Sequence, residues 1–70
     1  MTQVFWTGTV PLVDDFSKII QTEFIDGKTT FGPWAYMTPE SFKKYGIGLG
    51  QGRGQRYVVQ ENGKWLKVEG

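Results

Sequence analysis

Apolar and polar residues alternate along several stretches of this chain, and the breaks in the alternation mark its elements. Residues 3–10 (QVFWTGTV) are mostly β-branched or aromatic, with Val4, Trp6 and Val10 on one parity. They predict a strand that Pro11 ends or places at a sheet edge. In VDDFSKII, Phe16, Ile19 and Ile20 fall at helical spacing behind Asp14 and Asp15. Either aspartate can cap a short helical turn. Because neighbouring side chains diverge, a cap plus a solvated charge is expected there, not an acid pair or a metal site.

TEFIDGKTTF contains an Asp-Gly pair suited to a type I′ turn. A hairpin turning at Asp26-Gly27 would set Ile25 opposite Lys28, Phe24 opposite Thr29 and Thr22 opposite Phe31, with the Phe24 and Phe31 side buried. Gly32-Pro33 interrupts the second strand and WAYM resumes it. MTPESFKKYG predicts a helix of about two turns. Thr38 suits the N-cap, Pro39 the first helical position, Glu40 the positive first turn and Lys43 and Lys44 the negative end. Gly46 suits a left-handed residue after the helix, and Phe42 and Tyr45 would face the core.

RYVVQENGKWLKVEG predicts a second hairpin turning at Asn62-Gly63. A two-residue loop pairs Glu61 with Lys64, Val59 with Leu66, Tyr57 with Val68 and Arg56 with Glu69. Tyr57, Val59, Leu66 and Val68 then face inward, while Arg56, Trp65 and Lys67 face solvent. This order of elements predicts one α+β domain over residues 1–70: a small antiparallel sheet of two hairpins with one short helix.

Between helix and second hairpin lies GIGLGQGRGQR, with glycine at every second position from 46 to 54. A phosphate loop needs G-x-x-x-x-G-K-[ST] and a dinucleotide site G-x-G-x-x-G between strand and helix; neither pattern is met. Two readings stay open. The glycines can expose a flexible basic loop, with Arg53 and Arg56, to nucleic-acid phosphates. Alternatively, in an extended chain they form one bare face that lies flat on an aromatic or a strand, anchored by Ile47 and Leu49.

Composition narrows the chemistry. The 70 residues include no cysteine and no histidine, so disulfides, thiolate chemistry and imidazole ligands or bases are excluded. A domain this small buries only about 60% of its unfolded surface. Five Phe, three Trp and three Tyr must supply the cohesion that staples supply elsewhere. No apolar run approaches a membrane span, and the first ten residues lack the charged and apolar regions of a signal peptide, so a cytoplasmic protein with no membrane partner is expected. Charge is uneven. Residues 1–42 carry two lysines against five carboxylates, net −3, and residues 43–70 carry six cations against two carboxylates, net +4. The basic part can attract an anionic partner, or the two parts can neutralise each other in the fold.

The features F-I-D-G-K, G-P-W, M-x-P-x-x-F-K-K-Y-G and G-x-G-x-G-x-G-Q-R-Y resemble those of a family of short, mostly uncharacterised phage and bacterial proteins, over residues 12–68. Members carry C-x-x-C before the hairpin and again at the helix start, in the manner of a zinc ribbon or treble clef. The matching positions here are Val13, Phe16, Thr38 and Ser41. The resemblance therefore implies a treble-clef-like fold without metal, in which Val13 and Phe16 fill the vacated volume and Thr38 and Ser41 keep helix-capping duty. It also implies a phage or mobile-element origin and a scaffold or binding role.

Catalysis and a cofactor are not expected. Nucleophilic triads lack their base, and pairs such as Glu23 with Asp26 or Glu40 show no convergence. The expected role is a small non-catalytic binding or adaptor module contacting a host or phage protein through Arg53, Arg56, Trp65 and Lys67, with Lys43 and Lys44 nearby. The alternative is a nucleic-acid-binding protein using the glycine-rich loop and the C-terminal hairpin.

Overall fold

The computed structural model describes residues 2–70. Its elements run β1 (Glu23–Lys28), β2 (Trp34–Met37), α1 (Pro39–Tyr45), β3 (Gly54–Val59) and β4 (Trp65–Glu69). The four strands form one antiparallel sheet in the order β2-β1-β3-β4. The α+β expectation holds in this form: an open four-stranded sheet with one short helix. A treble-clef arrangement is not supported.

The first hairpin does not turn at Asp26-Gly27. Those residues lie inside β1, the strand flanked on both sides, where Asp26 and Gly27 pair with Tyr36 and Ala35 of β2 and with Gln55 and Gly54 of β3. The chain reverses instead over residues 29–33. There the Thr29 amide and hydroxyl both donate to the Pro33 carbonyl (3.0 and 2.7 Å), and the Gly32 amide donates to Thr29 (3.0 Å). Continuous pairing on two sides of β1 outweighs the local turn preference of Asp-Gly. Phe31 consequently leaves the expected inward face and is 61% exposed.

The second hairpin forms, but its loop is one residue longer than Asn62-Gly63 alone. Gln60 donates to the Lys64 carbonyl (2.7 Å), Gly63 donates to the Gln60 carbonyl (2.9 Å), and Gly63 has φ 84°. This is a three-residue loop closed by a left-handed glycine. Val59 therefore pairs with Trp65, Val58 with Leu66 and Tyr57 with Lys67. A bulge between Arg56 and Tyr57 then restores the expected Arg56–Glu69 pair. A one-residue slip turns a strand's side chains over, so Trp65 shares the face of Tyr57 and Phe24, while Val68 is exposed.

That face carries the core. Phe24, fully buried, stacks on Tyr57 (5.2 Å between centroids, 13° between planes). Trp6 and Trp65 meet Phe24 edge-on, each at 5.3 Å, and Tyr36 lies at 5.9 Å. Ile20 and Val10 close the cluster. Trp6 Nε1 is buried there without a hydrogen-bond partner, so packing alone holds that ring. On the opposite face Ile25 pairs with Met37, both buried, and α1 contacts β1 and β2.

The segment expected as an N-terminal strand contributes only a short annex. Phe5 bridges to Leu66, the Trp6 amide donates to the Trp65 carbonyl (2.9 Å), and the Lys67 amide donates to Val4 (2.8 Å). This covers the β4 edge. At the other edge Asp15 exchanges two bonds with the Tyr36 backbone, N–H to carbonyl at 3.1 Å and amide to carboxylate at 2.8 Å. Edge strands left bare template aggregation, so both short segments have a clear physical role.

Residues 12–20 form no helical turn. Val13 bridges to Ile19, the Ile20 amide donates to Leu12 (2.9 Å), and Ser17 sits at φ 66°. Of the two aspartates, Asp15 is exposed as expected, whereas Asp14 is only 4% exposed.

Candidate functional site

The helix N-terminus is built as its sequence demands. Thr38 Oγ1 accepts from the Ser41 amide (3.2 Å), with Pro39 first in the helix and Glu40 in its first turn. Asp14 completes this end from 24 residues away. Its Oδ2 accepts from the Thr38 amide (2.8 Å) and hydroxyl (2.9 Å), and its Oδ1 accepts from the amides of Phe16 (2.8 Å) and Lys18 (2.9 Å). Burial alone would raise this carboxyl. Hydrogen bonding from Ser41 and from the Thr38, Lys18 and Phe16 amides outweighs it and holds the pKa down to about 2.

Of the four positions that the family resemblance would match to metal ligands, Thr38 and Ser41 are buried beside Asp14, with their hydroxyl oxygens 3.2 Å apart. Val13 is 48% exposed and fills no interior volume. Phe16 stacks on Tyr45 (4.2 Å, 17°) and meets Phe31 at 6.1 Å. The loop and the helix are thus joined by a carboxylate, and the expected apolar plug of Val13 and Phe16 is not formed. No group of three or more metal-ligating side chains converges among the described residues.

The glycine stretch is neither an extended strand nor an unstructured loop. Gly48, Gly50 and Gly52 have φ of 140°, 123° and 77°, and residues 50–54 close a tight turn in which Gly50 and Gly54 exchange bonds of 2.8 and 3.0 Å. The expected left-handed cap at Gly46 is also absent. Its φ is −77°, and glycine is needed because a Cβ would overlap the Phe42 ring. The bare-face reading survives at Gly54, where a Cβ would lie 2.9 Å from the Gly48 carbonyl oxygen and 3.3 Å from the Gly27 Cα. Both neighbours are backbone. Gly54→Ala is therefore expected to cost about 1–3 kcal/mol of stability through forced separation of β1, β3 and the loop. Urea unfolding measures it, and a wild-type midpoint would show that the backbones separate freely.

The expected interaction residues divide. Trp65 is half-buried in the core and unavailable as an outward anchor. Arg56 is held between Glu23 (2.8 Å) and Glu69 (2.6 Å), which raise its pKa further. Lys67 is half-buried on the Trp65 side of β4. Lys43, Lys44 and Arg53 are exposed and take part in no ion pair among the described residues. The Arg53 guanidinium rests over Gly48 and Gly50.

Chain contacts gather these three cations at one end of the molecule. The Lys28 amide donates to the Arg53 carbonyl (2.8 Å), the Ile47 amide to Lys28 (3.3 Å) and the Thr30 amide to Tyr45 (2.8 Å), while Thr29 bridges to Gly46. The Lys28 backbone is thus clasped between the end of α1 and the glycine turn, while strand alternation sets its side chain on the Phe24 face, across the sheet from α1. Phe31 extends from the same reversal and lies 5.8 Å from Tyr45 and 6.1 Å from Phe16. Strand alternation counted from an Asp26-Gly27 turn hides this cluster by pointing Phe31 inward. The Gly32-Pro33 pair, itself a turn signal, is what could have revealed it.

Four of the carboxylates are engaged elsewhere. Glu40 pairs with Lys18 (3.2 Å), Glu23 and Glu69 with Arg56, and Asp15 with the Tyr36 amide. Asp26 is half-buried on the aromatic face, where burial pushes its carboxyl up. An open groove of about 540 Å³ beside the helix start is lined by Lys18, Ile19, Glu23, Thr38 and Glu40. Its acids are the ones already tied to Lys18 and Arg56. Among the described residues no helix is long and apolar enough to cross a membrane. No family model, curated protein or solved structure matches the chain.

Proposed function

We propose that this protein is a small non-catalytic binding module that presents its basic, aromatic-bearing end to an anionic partner. The observation that carries the reading is that three exposed cations with no ion pair among the described residues (Lys43, Lys44 and Arg53) and the Phe16–Phe31–Tyr45 cluster sit on segments hydrogen-bonded to one another. Unneutralised like charges at one end repel, and an opposite charge relieves that repulsion and is steered toward it. Exposed aromatics beside cations are typical of contact hot spots. A host or phage protein meets this surface if it offers an acidic face.

Isotope-labelled protein titrated with inorganic polyphosphate tests the reading. Amide shifts are expected to concentrate in residues 28–31, 43–47 and 50–54, and to vanish in the double variant Lys43→Glu with Lys44→Glu. Shifts elsewhere, or none, would remove the basis of the proposal.

A further inference from the structure

Resting on the binding-module reading, we propose that the anionic partner is single-stranded nucleic acid, with a base stacked on Phe31 and the flanking phosphates met by Lys43, Lys44 and Arg53. Three features separate this ligand from other polyanions. First, Phe31 is 61% exposed on a reversal tied by the Thr29–Pro33, Gly32–Thr29 and Thr30–Tyr45 bonds, and it is backed by the Phe16–Tyr45 stack. A ring held outward in this way gains little from phosphate alone. It gains from a flat π-face, which an unpaired base supplies and a duplex hides. Second, a Cβ at Gly52 would meet nothing within 4 Å, so the backbone of the glycine turn is open to close approach by a phosphate next to Arg53. Third, the single helix has seven residues and its exposed lysines lie in the last turn, which offers no side-chain row for reading a major groove.

Fluorescence anisotropy of labelled dT10 and U10 over a potassium chloride series is the test, with a ten-base-pair duplex, inorganic polyphosphate and a glutamate decapeptide as competitors. Neutralising about three phosphates predicts a slope of log K against log salt of about −2. Phe31→Ala, at an exposed position, is expected to weaken single-strand binding roughly 5- to 100-fold with the slope unchanged. Lys43→Glu with Lys44→Glu is expected to flatten the slope. Circular dichroism of each variant confirms the fold.

Labelled single strands that polyphosphate or duplex displaces at an equal phosphate concentration, or that Phe31→Ala binds equally well, overturn this inference and leave the binding-module reading standing. Preference for the glutamate peptide does the same and points to an acidic protein segment. Failure of every anionic probe removes both.

Discussion

Asp14→Ala is expected to lower the stability of the folded state by about 3 kcal/mol or more, the scale of losing hydrogen bonds to a buried charge. The carboxylate accepts four bonds and is nearly sealed from solvent. Alanine leaves the amides of Phe16, Lys18 and Thr38 facing a gap, and the edge-covering loop comes free of the helix. Asp14→Asn is not a mild substitute. One side-chain oxygen can still serve Phe16 and Lys18, but the amide nitrogen then confronts the Thr38 amide, donor against donor. Both variants are therefore expected to shift the urea midpoint down, alanine and asparagine alike.

The same carboxylate gives a pH signature. Its folded pKa of about 2 lies below the ordinary value of 3.8, so its contribution is present above that value and is lost as pH falls from about 4 to about 2. The loss amounts to about 2 kcal/mol. Wild type should lose this increment on acidification and Asp14→Ala should not. Parallel acid profiles for the two proteins would show that Asp14 is not the tie between loop and helix.

Phe24→Ala is expected to remove about 3–5 kcal/mol, the usual cost of truncating a fully buried aromatic. Total stability at this length is only about 4–10 kcal/mol, so this one change removes about a third of it or more. Phe24 touches both Trp6 and Trp65 edge-on and stacks on Tyr57. Tryptophan emission and near-ultraviolet circular dichroism should thus change together with the urea midpoint. Phe24→Leu, which keeps most of the apolar volume, should fall between the two. Were Phe24→Ala to keep the wild-type tryptophan signals and midpoint, the core would have to lie elsewhere.

Some of this architecture was legible in the residues. Thr38, Pro39 and Glu40 start α1, WAYM forms β2, and Asn62-Gly63 lies in the turn of the last hairpin, because caps and turns are settled by residues within a few positions of one another. The aromatic residues were also legible as the source of cohesion in a chain without cysteine. The candidate site was legible only in part. Lys43, Lys44 and Arg53 could be named, whereas a turn placed at Asp26-Gly27 pointed Phe31 inward although Gly32-Pro33 marks the true reversal.

By itself, the sequence determined the class of the domain, the position of its helix and which side chains were available to hold it together. Tertiary structure decided everything that depends on comparing distant alternatives. Whether Trp65 or Leu66 turns inward is a one-residue choice, indistinguishable within the hairpin and settled by the area Trp65 buries against Phe24. Asp26-Gly27 reads as a turn until β3 pairs along the other side of β1. Asp14 looks solvated until Thr38 and Ser41 close over it. In each case the deciding free energy comes from burial or hydrogen bonding to a partner far along the chain, and local pattern carries no record of it.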